Sequence, residues 1–105
     1  MSKEASWQIR KQETIDIIKN CDDVGVKIVC LSDKISNLRS LHSVILKKGD
    51  ATWDAFNMKD PLMHYWYYDS LREAFSELKD TSSFKSLNIF SKFSFTNFSI
   101  LISYY

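Results

Sequence analysis

Turn-forming residues are scarce in this chain. Two glycines and one proline in 105 residues cannot supply the many tight turns of a β-sandwich or barrel, so long helices are favoured. The only cysteines, Cys21 and Cys30, fit no zinc or redox spacing, and buried reduced thiols are expected. Cations and anions nearly cancel to a net charge of +1, which gives no electrostatic case for nucleic acid or an anionic membrane. No apolar run is long enough to span a bilayer, and the polar start Met1–Trp7 does not read as a secretory signal. A cytoplasmic protein of one domain at most is therefore expected. Gly-rich phosphate loops, Gly-x-Ser-x-Gly and a usefully spaced Cys-His pair are all missing. His42 and His64 stand apart, and each reads as a packed or surface histidine, because a metal site needs a cluster.

What is present is helical periodicity. Ser6 or Ser2 can cap a first helix from about Trp7 to Asn20, with Trp7, Lys11, Thr14, Ile15 and Ile18 on one side. Asn20-Cys21-Asp22-Asp23 breaks it. Asp22 or Asp23 then caps a central helix that runs to about Leu46, and Lys47-Lys48-Gly49 suits its C-terminal end. A short helix, Ala51 to Asn57, is expected after Asp50, with Trp53 and Phe56 as its apolar side. Asp60-Pro61 opens a fourth helix to about Leu78, whose stripe is Leu62, Tyr65, Trp66, Leu71 (with Tyr68), Phe75 and Leu78.

The composition changes after Asp80, and residues 81–105 hold no Asp or Glu. Phe93 and Phe95, then Phe98, Ile100, Ile102 and Tyr104, alternate with polar or other residues. Period two argues for a strand pair turning near Thr96-Asn97. An irregular, aromatic and Ser-rich tail is the other reading, since a two-stranded hairpin is marginal alone. The fold class expected is all-α: a bundle of about four helices over residues 1–79, with an irregular or β-hairpin-like tail over 80–105.

The central helix carries the one suggestive polar group. Ile28, Leu31, Ile35, Leu38 and Leu41 or His42 recur at three- and four-residue steps, as a buried face requires. Asp33 and Asn37 lie four apart, one above the other. Asp33 is either a solvated surface charge or ion-pair partner, or a ligand in a metal or polar site. Lys34, Arg39, Lys47 and Lys48 could attract a phosphate, although basic residues on a helix surface commonly serve solubility alone.

From Lys27 to Ser40 the chain reads Lys-Ile-Val-Cys-Leu-Ser-Asp-Lys-Ile-Ser-Asn-Leu-Arg-Ser. This resembles the last conserved motif of HD-domain phosphohydrolases, in the RelA/SpoT-type branch that hydrolyses (p)ppGpp: Lys-Leu-x-x-x-Ala-Asp-Lys/Arg-x-x-Asn-x-Arg-Ser/Thr. Ser32 stands where Ala is usual. Lys3, Trp7, Arg10 and Lys11 resemble that family's Asp-Lys-x-x-x-Trp-x-x-Arg-Lys segment. Gly49-Asp50, Trp53, Phe56-Asn57 and Trp66-Tyr67-Tyr68 resemble its following helices. The likeness covers about residues 3–79.

The resemblance implies a partial HD-domain helical bundle and a metal-dependent guanosine-3′,5′-bis(diphosphate) 3′-pyrophosphohydrolase. Asp33 would be the last ligand of a divalent metal, usually Mn2+, which activates water and polarises the phosphoryl oxygen. Asn37 would hydrogen-bond the nucleotide, with Arg39 and Ser40 alongside. No catalytic residue is implied in this chain. In the family a first His, a His-Asp pair and a following acidic pair precede this region, and neither His42 nor His64 falls at those positions. The expectation is a truncated hydrolase that is inactive alone, that would need another chain to supply the missing half, and that leaves apolar surface exposed. A non-enzymatic helical remnant or interaction module is the alternative.

Overall fold

The computed structural model describes residues 2–95, with side-chain surroundings through residue 89. Four α-helices follow one another: α1 (Lys3–Lys19), α2 (Val24–Lys48), α3 (Pro61–Ala74) and α4 (Ser82–Phe95). Short 3-10 segments at Gly49–Ala55 and Ser76–Leu78 join them, and no strand occurs among the described residues. The fold is all-α.

The helix ends follow local chemistry. Ser2 Oγ accepts from the Ala5 amide at 3.1 Å, so α1 begins at Lys3, a turn earlier than the sequence suggests. Asp23 Oδ1 accepts from the Val26 amide at 3.2 Å and starts α2. Asp60 Oδ1 accepts from the Leu62 amide at 2.9 Å, with Pro61 in the first turn of α3. Gly49 closes α2 at φ 56°, a left-handed conformation that side-chain-bearing residues rarely adopt, and Lys47 and Lys48 face the negative end of the dipole. The expected third helix is the 3-10 segment Gly49–Ala55. The expected fourth helix ends at Ala74, and Leu78 belongs to the second 3-10 segment.

The helices pack as a bundle, α1 against α3, α2 against α4, and α3 against α4. Phe75, Leu31, Leu38, Leu71 and Leu87 are fully enclosed. Each such side chain stabilises the fold by about 1.5–3 kcal/mol relative to exposure. On α1 the buried side is Trp7, Ile15 and Ile18, as the periodicity indicates. On α3 the buried stripe is rotated from the expected one. His64, Tyr67, Tyr68, Leu71 and Ala74 point inward, while Leu62, Tyr65 and Trp66 are half-buried.

α2 differs from its expected stripe at one end. Leu31, Ile35, Leu38, Leu41 and Ile45 are buried, but Ile28 is 41% exposed and Lys27 beside it is only 4% exposed. Lys27 Nζ donates to Glu77 Oε1, in the 3-10 segment after α3. A paired ammonium can be buried where an unpaired one cannot. The Lys stem therefore fills the inward position, and Ile28 turns outward.

Residues 82–95 are helical, not extended, so Phe93 and Phe95 belong to a helix rather than a strand. Thr81 explains the start: its hydroxyl donates to the Leu78 carbonyl at 2.7 Å and accepts from the Phe84 amide at 3.1 Å. Phe84 and Leu87 then fall on one helical face, with Leu87 in the core and Phe84 against it. The proposed turn at Thr96-Asn97 and the alternation Phe98 to Tyr104 lie outside the described residues. Among the described residues no helix is long and apolar enough to cross a membrane.

Candidate functional site

The sequence-derived site residues all sit on exposed positions of α2, but they do not share one surface. An α-helix turns about 100° per residue. Asp33, Asn37 and Ser40 therefore fall on one face, whereas Arg39 is carried to another side. The structure follows this geometry. Asn37 and Ser40 line a groove between α1, α2 and α3 of about 360 Å³. Arg39 instead lines a shallower recess between α2 and α4, with Ser32, Ser36, Ser82, Ser83 and Ser86.

The groove combines aromatic walls with polar and cationic groups. Trp7 and Lys11 come from α1; Lys34, Asn37, Ser40, Leu41 and Val44 from α2. Phe56 and the α3 residues His64, Tyr67 and Tyr68 complete it. Lys11 Nζ lies 4.7 Å from the centre of the Tyr67 ring and 5.7 Å from that of Trp7, within cation–π range. Burial, then the neighbouring Lys34 and Arg10 charges, lower the Lys11 pKa. Tyr67 is pushed up to about 12, first by burial and then by the Asp33 carboxylate.

The groove rests on an aromatic box around His64. Its ring lies 5.0 Å from Trp7, 4.9 Å from Trp53 and 4.8 Å from Phe56, centre to centre. Its Nε2–H donates to the Met58 carbonyl at 2.8 Å, since a carbonyl can only accept, and this fixes the tautomer. Desolvation lowers the His64 pKa despite that hydrogen bond. His64 is thus a packed histidine, as its isolation in the sequence indicates. Its contribution to the groove wall, with that of Lys11, was not legible as a site feature. Two sequence signals touched Lys11: the helical spacing that puts it on the Trp7 side, and its place in the Lys3, Trp7, Arg10 and Lys11 spacing that carries part of the family resemblance.

Asp33 has the wrong surroundings to hold a metal with the described residues alone. Its carboxylate is 64% exposed and lies 3.5 Å from Lys34 Nζ. Among the described residues no three His, Cys, Asp or Glu side chains form a group that could hold a metal ion. A single carboxylate beside a lysine does not provide the hard, multidentate set that Mn2+ requires. Asp33 does lie close enough to Tyr67 to affect its titration, which places its charge near the groove.

Comparison of the chain with protein-family models, with curated proteins and with solved structures finds no match.

Proposed function

We propose that the chain is part of an HD-type, metal-dependent phosphohydrolase resembling guanosine-3′,5′-bis(diphosphate) 3′-pyrophosphohydrolases, and that by itself it binds the nucleotide without hydrolysing it. The observation that carries this reading is the shared groove of Asn37 and Ser40, two residues the motif implies for nucleotide contact, with Lys11 and Lys34. Two ammonium groups suit phosphate, and aromatic faces suit a purine. Arg39 lies on the other side of α2, so in this reading it is not a nucleotide contact. Asp33 belongs to a metal site that is completed only when His and His-Asp residues are supplied from outside these 105 residues, which contain no His-Asp pair. A cytoplasmic location is part of the same proposal.

Purified chain incubated with Mn2+ and ppGpp tests the catalytic half of the proposal. No pyrophosphate release is expected. Release that disappears in Asp33→Ala would show that the chain is an enzyme on its own.

A non-enzymatic interaction module is the second reading, and one observation favours it. Val24, Val26, Ile28 and Val29 are 41–69% exposed at the start of α2, which leaves apolar side chains in water. Sedimentation of the chain alone and after Val29→Lys separates the two. Self-association abolished by the lysine favours the module.

A further inference from the structure

Of the two histidines, one is built into the groove wall. His64 is only 4% exposed, yet it lines the groove together with Lys11 and Lys34. Rings from separate segments enclose it: Trp7 of α1, Trp53 of the first 3-10 segment, and Phe56 just after that segment. Its Nε2–H is already engaged by the Met58 carbonyl, so Nδ1 is the nitrogen that takes up a proton.

The groups around His64 decide when it does so. Burial is the largest influence and holds the ring neutral near pH 7. Lys11 on α1 also opposes a second cation nearby, whereas the Met58 carbonyl and Asp60, ahead of α3, favour one. On α3 itself, burial keeps Tyr67 and Tyr68 neutral. Across the groove on α2, Lys34 lies beside Asp33. In the empty groove the Lys11 charge therefore resists protonation of His64. A polyanion seated on Lys11 and Lys34 reverses the sign of that field. The enclosing rings exclude water, so a charge on His64 acts on the groove with little screening, although the ring itself need not touch the ligand.

We propose that His64 couples the groove to pH: a bound polyanion draws a proton onto Nδ1, and the groove holds that polyanion more tightly as pH falls. The coupling rests on the nucleotide reading of the groove and adds its regulation. The proton comes from solvent, the Nε2–H bond to Met58 is kept, and the groove gains a third positive charge beside Lys11 and Lys34. Proton uptake and anion binding strengthen each other by the same factor, because linkage is reciprocal.

Proton NMR tests this directly, since His42 and His64 are the only imidazoles in the chain. Their ring C–H resonances are followed from about pH 8 to 5, without and with saturating ppGpp. The His64 midpoint is expected to rise by about one unit with ligand, while His42, which does not line the groove, stays in place. Calorimetric titration at the two ends of that range compares the native chain with His64→Gln, whose amide can still donate to the Met58 carbonyl but takes up no proton. The ligand's own phosphates titrate in both proteins, so the difference between them is the measure. Native affinity should gain by as much as about tenfold over the variant at the acid end, the limit that a one-unit shift sets. Saturable ppGpp binding with an unmoved His64 midpoint overturns the coupling and leaves the nucleotide reading standing. So does an equal pH response in the native chain and in a His64→Gln variant that circular dichroism shows to be folded. Absence of ppGpp binding at both ends of the range overturns the nucleotide reading and the coupling with it.

Discussion

Lys27 and Glu77 should respond to mutation unequally. Lys27 is 4% exposed and Glu77 is 50% exposed, so the pair has one partner in the core and the other at the surface. Removing one partner of a fully buried pair costs about 3–5 kcal/mol, whereas an exposed pair contributes about 0–1 kcal/mol. With one partner half solvated, Glu77→Gln is expected to cost about 2 kcal/mol. The Gln side chain can still accept a hydrogen bond, so the loss reports mainly the charge left in the core. Lys27→Met keeps the apolar stem and removes the charge that needed a partner. Its cost should stay below about 1 kcal/mol, as for other shape-conserving core changes. Urea unfolding with a common slope measures both. At a slope of about 1–3 kcal/mol/M, the Gln variant should lose roughly 1 M in midpoint and the Met variant much less. A Met variant as destabilised as the Gln variant, or more so, would refute this reasoning. It would mean that the lysine stabilises the bundle through its charge rather than being tolerated there.

Other perturbations address the groove floor and the helix connections. The His64 pKa lies below its ordinary value of 6.5, with burial as the largest cause. The unfolded chain therefore binds the proton first; this contribution is complete above 6.5, falls as pH drops through that value, and levels off below the folded pKa. Unfolding between about pH 7 and 5 should show this slope in the native protein and a flatter one in His64→Phe. Thr52 is 1% exposed and its hydroxyl has no hydrogen-bond partner among the described residues, so Thr52→Val should raise stability by about 1 kcal/mol in the same urea assay. Gly49 has φ 56° and open space where a Cβ would go, so Gly49→Ala should cost about 1 kcal/mol from backbone strain alone, read as a lowered thermal midpoint.

The helices were legible because their causes are local. Asp23, Asp60-Pro61 and Lys47-Lys48-Gly49 mark their ends by chemistry that acts within one turn, and Trp7, Ile15 and Ile18 mark the inner side of α1 by spacing. What escaped the sequence depends on distant partners. Lys27 is buried because Glu77, fifty residues away, meets it, and hydrophobic periodicity cannot register that. The inward turn of His64 depends on Trp7, Trp53 and Phe56 converging from separate segments. Period two around Phe93 and Phe95 suggested a strand, yet the capping Thr81 and the Phe84–Leu87 spacing are helical signals a few residues earlier. For the site, helical geometry puts Asp33 and Asn37 on one face of α2, where Asn37 lines the groove. The same 100° step separates Arg39 from them, which a motif written as a line of residues conceals. The α1 contribution, Lys11 against Tyr67, needed the packing of α1 on α3.

Calorimetric titration of ppGpp into the chain, beside Asn37→Ala, measures whether the groove binds the nucleotide. Asn37 is an exposed residue at the groove, so its truncation should leave unfolding unchanged. Saturable binding to the native chain is expected, weakened about tenfold in the variant, as loss of a hydrogen bond of about 1.4 kcal/mol implies. No saturable binding, or binding of equal strength in Asn37→Ala, would contradict it.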